Sequence, residues 1–121
     1  MNNYPFLGVF RARCQNVVDG DTADLLVDLG FHSFRVERLR LLNIDAPEMR
    51  KESYEQGVVA KAVLKSILMA EGEWPLKIVT KKDPDNFGRW LAEIFIVPTD
   101  GVEKSVCTMM VELGHAVWYQ K

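Results

Sequence analysis

The sequence predicts an α+β fold, a five-stranded Greek-key barrel that carries two to three helices. Two observations predict it. Three β-like segments precede an amphipathic helix, and two further strands and a second helix follow that helix. Five strands interrupted by a helix after the third suit a small closed barrel, although other α+β folds share this order.

The first 45 residues are predicted to form a three-stranded antiparallel meander, with strands over residues 7–18, 21–29 and 31–44. Asp19-Gly20 separates the first two strands as a turn signal, and Gly30 occupies a natural hairpin position before the third. Alternation in the second segment places one set of apolar side chains on a single face: Ala23, Leu25, Val27 and Leu29.

The rest of the chain supplies the helices and the last two strands. A helix is predicted over residues 54–70, where Val59, Val63 and Ile67 line one apolar face and Gly72 is a terminator. Strands near residues 76–82 and 90–97 flank a turn-rich loop, and a second helix over residues 103–113 ends at Gly114. This complete order matches a barrel of the oligonucleotide-binding (OB) type.

Length and composition indicate a single globular domain over residues 1–121, with 48 % apolar and 26 % charged residues. Cys14 and Cys107 form no ligand pattern with the histidines, and two buried free thiols are favoured over a disulfide, which stays open. No basic leader opens the chain and no apolar stretch is long enough to cross a membrane. The chain as given is therefore expected to be cytoplasmic, with secretion after leader removal left open.

The formal net charge of −2 argues against tight, extended binding of duplex nucleic acid, because broad duplex binders are usually basic. Basic residues nevertheless cluster locally, and a local field can hold a single phosphate. The clusters are Arg35, Arg38 and Arg40, then Arg50-Lys51, then Lys81-Lys82 with Arg89.

Carboxylates stand at the turn between the first two strands. Asp21 has the strand parity of the inward-facing set, and a carboxylate near a core face is costly unless a cation or hydrogen bonds compensate. Asp19 precedes it across Gly20. The alternative is that Asp-Gly-Asp-Thr is a solvated hairpin turn.

A second group surrounds the end of the third strand, where Arg40, Asp45 and Glu48 follow one another closely. Pro47 ends the strand and leaves the Ala46 carbonyl free as an oxygen ligand. Hard oxygen donors suit calcium rather than zinc. Arg40 and Asp45 have opposite strand parity, so their convergence on one site needs a bend or bulge between them. The alternative is a strand-end turn with surface charges.

A third element, Gly88-Arg89, opens the last strand and brings an arginine to the barrel's edge. Taken alone it is a generic hairpin. Together, three strings resemble in order the three motifs of the staphylococcal nuclease (thermonuclease) family, over about residues 10–119. The strings are Val18-Asp19-Gly20-Asp21-Thr22, Arg40-Leu41-Leu42-Asn43-Ile44-Asp45-Ala46-Pro47-Glu48 and Phe87-Gly88-Arg89.

The resemblance implies an OB-fold barrel with calcium-dependent phosphodiesterase activity on DNA and RNA. It implies that one Ca²⁺ is held by Asp21, Asp45 and the Ala46 carbonyl, with Asp19 helping through water. Glu48 matches the residue that positions or deprotonates the attacking water, and Arg40 and Arg89 match the two arginines that hold the phosphate. Cations placed beforehand around a phosphodiester lower the barrier to attack.

The chain departs from the family pattern at its substrate contacts. A lysine and a tyrosine that touch a nucleotide phosphate are replaced by Asn86 and Phe87, and Phe87 can stack but donates no hydrogen bond. Trp118 and Tyr119 are both candidates for a family tyrosine that stacks on a base. The segment over residues 49–55 is shorter than the long basic loop of the best-known member.

Two readings compete with an active nuclease. The first is a catalytically weak or inactive OB-fold module that binds nucleic acid or protein. The second is a protein-interaction component, suggested by the negative net charge. The acidic cluster favours the enzyme, because a module that merely binds has no need of it. The substrate is then DNA, RNA or both, without a membrane partner, and the protein is expected to be a monomer.

Overall fold

A computed structural model describes residues 8–82, 90–98 and 101–119 of the chain. Within these ranges the elements follow in this order: β1 (Gly8–Asp19), β2 (Thr22–Asp28), β3 (Phe34–Leu41), β4 (Ile44–Asp45), a 3₁₀ turn (Lys51–Ser53), α1 (Tyr54–Leu68), β5 (Leu76–Lys82), β6 (Trp90–Ile96), β7 (Lys104–Ser105), α2 (Val106–Glu112) and β8 (Val117–Trp118).

The strands form a closed barrel, which confirms the predicted fold. The sheet order is β3-β2-β1-β5-β6, with antiparallel neighbours throughout. A parallel pairing of β6 with β3, through Leu39 with Trp90 and Leu41 with Ala92, closes the ring. Closure removes the exposed strand edges that an open sheet would present.

Alternation along β2 builds the barrel interior. Ala23, Leu25 and Val27 are buried, as their strand parity predicts. The prediction for Leu29 is wrong: it lies beyond the end of β2 and is 42 % exposed, because the chain leaves the sheet at Gly30, whose φ is +82°. Regular alternation cannot extend past the last ladder pair.

The buried face of α1 differs from the apolar face seen in the sequence. Val59 is 48 % exposed, and Val63 and Ile67 are partly buried at the margin of the core. The residues of α1 that face the core are Gly57, Ala60, Leu64 and Leu68. Hydrophobic periodicity missed this face because its first turns carry small residues, which allow close approach but add little hydrophobicity.

Three predicted boundaries also change. The third strand stops at Leu41, and the second helix starts at Val106, because the Ser105 side chain caps it by accepting the Thr108 N–H. The first helix ends at Leu68, so Gly72 is not its terminator. Gly114, with φ of +82°, does follow the end of α2 as predicted.

Both cysteines are free thiols, as predicted, but only Cys107 is buried, whereas Cys14 is partly exposed. Desolvation by burial raises the pKa of Cys107 to about 12, with the nearby charge of Glu93 adding to the shift. Burial also raises the pKa of Cys14, which is less enclosed. Among the described residues, none of the helices has the length and apolarity needed to span a membrane.

We predict that Leu64→Ala lowers the free energy of unfolding by about 2–5 kcal/mol, because it removes buried methyl groups and leaves a cavity. The matched change Val59→Ala on the same helix should alter it by less than about 0.5 kcal/mol. Urea denaturation measures both. An equal loss in the two variants would contradict the assignment of the buried helix face.

We also predict that Cys107 resists a thiol reagent at pH 8 in the native protein, because the reactive thiolate is scarce when the pKa is near 12. Cys14 should react faster, since it is less buried. Labelling of Cys14→Ser and Cys107→Ser separates the two rates, and urea should equalise them. Rapid native labelling of Cys107 would show that it is accessible.

Candidate active site

Two loops meet at one end of the barrel and enclose a small polar cavity of about 150 Å³. One is the β1–β2 turn, which carries Asp19 and Asp21, and the other follows β3. The cavity is lined by Asp19, Asp21, Thr22, Arg40, Asp45, Ala46, Pro47 and Glu48. The first two motifs of the sequence therefore converge in space.

Asp21 joins the two loops through its carboxylate. Among the described residues, it is the charged residue that is buried with the core. Its Oδ2 accepts the backbone N–H of Ala46 at 3.0 Å, and its Oδ1 accepts the Thr22 hydroxyl at 3.1 Å. Its backbone carbonyl accepts the N–H of Leu41 at 2.8 Å. These bonds offset the cost of burying a carboxylate and fix its orientation.

Arg40 bridges the two acidic loops. It sits opposite Thr22 in the β2–β3 ladder, and its side chain is 17 % exposed. The same guanidinium nitrogen, Nη2, lies 2.8 Å from Asp45 Oδ1 and 3.5 Å from Asp21 Oδ2. One positive group therefore contacts both of the carboxylates that the family resemblance assigns to a shared ion.

The bend that the strand parity required is present between β3 and β4. Asn43 adopts a left-handed backbone with φ of 64°, a conformation that asparagine tolerates better than most residues. The Leu42 N–H bonds the Ala92 carbonyl at 2.9 Å, and the Asn43 carbonyl accepts the Tyr119 N–H at 2.7 Å. The turn is thus tied to β6 and to the C-terminal segment, and Asp45 is re-aimed towards Arg40.

Glu48 lies on the rim of the cavity, and its side chain is 67 % exposed. Its Oε2 lies 3.3 Å from Arg50 Nε in an exposed ion pair. Its carbonyl accepts the Ser53 hydroxyl at 2.7 Å, which ties the turn to the start of α1. The backbone of this residue is held firmly, while its carboxylate remains open to solvent.

The two aromatic candidates near the C-terminus are placed differently. The Tyr119 ring lies beside the site, with its centroid 5.9 Å from Arg40 Cζ. Trp118 pairs with Ile44 in the β4–β8 ladder, is about half exposed, and is not among the residues that line the cavity. The geometry favours Tyr119 over Trp118 as the aromatic neighbour of the site.

Three predicted residues lie outside the described part of the chain: Asn86, Phe87 and Arg89. Their predicted contacts with substrate stay predictions. Trp90, the next residue along, begins β6 opposite Leu39, one position from Arg40.

The other arginines of the basic cluster on β3 are engaged away from the cavity. Arg38 Nε donates to Asp24 Oδ1 at 2.8 Å, and this pair holds the pKa of Asp24 below its usual value. Arg35 pairs with Glu37. The cluster therefore contributes Arg40 to the site and does not form an unneutralised basic surface on this strand, in keeping with the low net charge.

The donor set fits a hard divalent cation in charge and chemistry. Four carboxylates line the cavity and one guanidinium faces them, so negative charge is in formal excess. All of these acidic ligands are oxygen donors, which is what calcium prefers. Within residues 8–82, 90–98 and 101–119, no three acidic, histidine or cysteine side chains converge as a complete ligand group. A cation bound here would therefore need oxygen ligands besides these carboxylates.

Several residues that shape the site were missed by reasoning from the sequence. Thr22 and Ser53 act through hydroxyl groups, and Gly57 and Ala60 act through their small size. The Asp-Thr dipeptide was a usable signal for Thr22, since a hydroxyl beside a buried carboxylate is a ready donor. The two small residues give no local signal.

Comparison with known proteins identifies the class of protein to which this barrel and site belong. The family model described as "Staphylococcal nuclease homologue" matches residues 38–121, which is more than half of the chain. The chain belongs to the staphylococcal nuclease family, as its motifs predicted.

Two curated relatives are similar over most of this chain. It is 32 % identical over 92 residues to Protein ParB of Escherichia coli, a match that covers 76 % of this chain and 45 % of that protein. It is 32 % identical over 111 residues to an "Uncharacterized endonuclease" of Escherichia coli O157:H7, covering 92 % of this chain and 62 % of that protein. The chain thus spans about half to three fifths of their length.

We predict that Arg40→Gln lowers the free energy of unfolding by about 1–2 kcal/mol, because it removes a largely buried cation hydrogen-bonded to two carboxylates. The control Arg11→Gln breaks the exposed pair with Asp28 and should change stability far less. Urea titration of both variants measures the difference. Equal losses would show that the Arg40 bridge is no stronger than a surface pair.

Proposed function

We propose that the protein is a calcium-dependent nuclease that hydrolyses phosphodiester bonds of DNA, RNA or both. The observation that carries this proposal is the bridge from Arg40 Nη2 to Asp45 and Asp21, inside a cavity that Asp19 and Glu48 also line. The residues proposed as cation ligands, phosphate-binding group and base thus line one cavity of one chain. Family membership and the name of the endonuclease relative support the same activity.

Asp21 and Asp45 are the proposed direct ligands of the ion, with the Ala46 carbonyl and, through water, Asp19. When bound, calcium supplies neutralisation of phosphate charge, Lewis acidity and a template for the reacting groups. The hydrogen bonds that Ala46 and Thr22 donate to Asp21 hold its carboxylate in place before any ligand arrives. Such preorganisation reduces the reorganisation needed at the moment of reaction.

Arg40 is the proposed phosphate clamp. A guanidinium has five N–H donors in a planar fork, and its contacts with Asp21 and Asp45 both run through Nη2. The group therefore keeps capacity to bind two phosphate oxygens while it remains oriented by the carboxylates. Arg89 is proposed as the second guanidinium, on the strength of the motif match.

Glu48 is the proposed general base. A water oxygen forms the new bond to phosphorus, its proton passes to the Glu48 carboxylate, and the ester P–O bond breaks, with the leaving oxygen protonated by solvent. The rim position and 67 % exposure of the Glu48 side chain let water reach it, and its pair with Arg50 is exposed and easily exchanged. A positioned base contributes about 10²–10⁴-fold to such a step.

Aromatic groups near the phosphate are proposed to hold the bases. Tyr119 lies against Arg40 and is 42 % exposed, so one base can stack beside the clamped phosphate. Such stacking contributes about 1–3 kcal/mol per base. Phe87, Asn86 and Trp118 are proposed as further contacts. Because both acidic loops and Arg40 belong to one chain, we propose a monomer as the active form.

The purified protein is expected to nick plasmid DNA or cut RNA with calcium present and to stop when a chelator is added. Glu48→Gln should fold and bind calcium normally, yet lose about 10²–10⁴-fold in kcat, because the amide cannot accept the proton. Glu52→Gln, the same change at an exposed position nearby, is the matched control and should retain activity. Calorimetry measures calcium binding, and single-turnover cleavage measures the rate.

Two outcomes would contradict this proposal. Wild-type protein that binds an oligonucleotide with calcium but never cuts it would instead be the binding module. Undiminished cleavage by Glu48→Gln would remove Glu48 from the mechanism.

A further inference from the structure

The first turns of α1 contact the backbone of the loop that carries Glu48. A Cβ added at Gly57 would lie 2.7 Å from both the carbonyl carbon and the carbonyl oxygen of Glu48, and 2.8 Å from the Met49 nitrogen. These are backbone atoms, which cannot swing aside as the end of a flexible side chain can. The missing side chain of Gly57 therefore sets how closely the Glu48 turn approaches the helix.

The next turn of α1 packs against the β1–β2 turn, which carries Asp19 and Asp21 and in turn lies close to the loop after β3. A Cβ on Gly20 would lie 2.7 Å from the Ala60 Cβ and 2.9 Å from the Ala46 Cβ. Ala60 is fully buried at this junction. One helix thus contacts the turn that carries Glu48 through Gly57, and the β1–β2 turn through Ala60.

A hydrogen bond supports the first of these contacts. The Ser53 hydroxyl lies immediately before α1 and within bonding distance of the Glu48 carbonyl, at 2.7 Å, and of the Arg50 carbonyl, at 3.1 Å. The turn from Glu48 to Arg50 is therefore held both by packing on Gly57 and by Ser53. The backbone from which the exposed Glu48 carboxylate extends is therefore held at two points.

We infer that Gly57 is a positioning residue for Glu48: its lack of a side chain holds the general base at the distance that the proposed hydrolysis requires. This inference rests on the proposed function. A base must lie within hydrogen-bond reach of its proton, and a displacement of about 1 Å can cost on the order of 10²-fold in rate. Asp21 and Asp45 are held by other contacts, so displacement of the Glu48 turn leaves them in place.

Gly57→Ala tests this directly. We expect kcat to fall about ten- to hundredfold, while KM and the calcium dissociation constant change less than about twofold and circular dichroism stays native. Ser66→Ala, at an exposed position of the same helix, is the control and should match wild type. Full activity of a folded Gly57→Ala protein, or an equal loss of calcium affinity, would overturn the inference.

Combining the substitution with Glu48→Gln separates positioning from a general structural defect. If Gly57 acts through Glu48, adding Gly57→Ala to Glu48→Gln should lower kcat by less than about twofold, because the group it positions is already inactive. A further loss as large as that of the single variant would show that Gly57 acts by another route, and would overturn the inference.

Should Gly57→Ala fail to fold, Ser53→Ala loosens the same turn without adding an atom. It should lower kcat in the same direction, again with calcium affinity unchanged and again without effect on the Glu48→Gln background. Wild-type kcat in a folded Ser53→Ala protein would then count against positioning of Glu48 from α1.

A readout independent of activity distinguishes failure here from failure of the proposed function. Arg50 follows the Glu48 turn and is a trypsin site, so limited proteolysis reports how firmly the turn is held. We expect cleavage after Arg50 to be faster in Gly57→Ala than in Ser66→Ala. If the wild type lacks nuclease activity but this difference is found, the proposed function fails while the packing stands. Equal cleavage rates would overturn the positioning of the turn.

Discussion

The structure around the site depends on the hydrogen bond from the Ala46 N–H to the buried Asp21 carboxylate. This 3.0 Å contact links the β1–β2 turn to the segment after β3, two parts of the chain that are distant in sequence. A buried carboxylate is costly without partners, and the partners found here are a backbone N–H, the Thr22 hydroxyl and Arg40. The same contacts that make its burial tolerable also fix the geometry of the two acidic loops.

Helix α1 supports the same loops by packing against their backbone. Small residues allow it to approach the loops closely: Gly57 lies against the Glu48 backbone, and Ala60 lies against Gly20, which also lies close to Ala46. Dense packing transmits small changes in volume to neighbouring backbone. The positions of the loops that carry the carboxylates therefore depend partly on α1, although none of the described residues of this helix lines the cavity.

Charge is local in this protein. Arg38 and Arg35 are paired with acidic neighbours, whereas Arg40 faces the acidic cavity. A net charge of −2 is consistent with this distribution. In the function proposed above, this distribution suits recognition of a single phosphodiester better than extended electrostatic contact with a duplex.

The amino-acid sequence by itself determined the order of the strands and helices along the chain. It also placed Asp21 on the inward-facing side of its strand and indicated the acidic and basic groups of the site. These follow from local rules: period-two alternation, turn residues, and the effect of Pro47 on the chain before it. It also showed that Arg40 and Asp45 could meet if the chain bent between them, and Asn43 supplies that bend.

The tertiary structure alone decided which face of α1 is buried. Gly57 and Ala60, rather than the more hydrophobic Val59, lie on the buried face. Small residues are needed there because the helix packs closely against the backbone of neighbouring loops. The tertiary structure also decided that Arg40 contacts Asp21 as well as Asp45 while Arg38 pairs with Asp24, because these contacts depend on how β3 is placed against the β1–β2 turn and β6 in the closed barrel. Such contacts join residues far apart in the chain, and no local pattern encodes them.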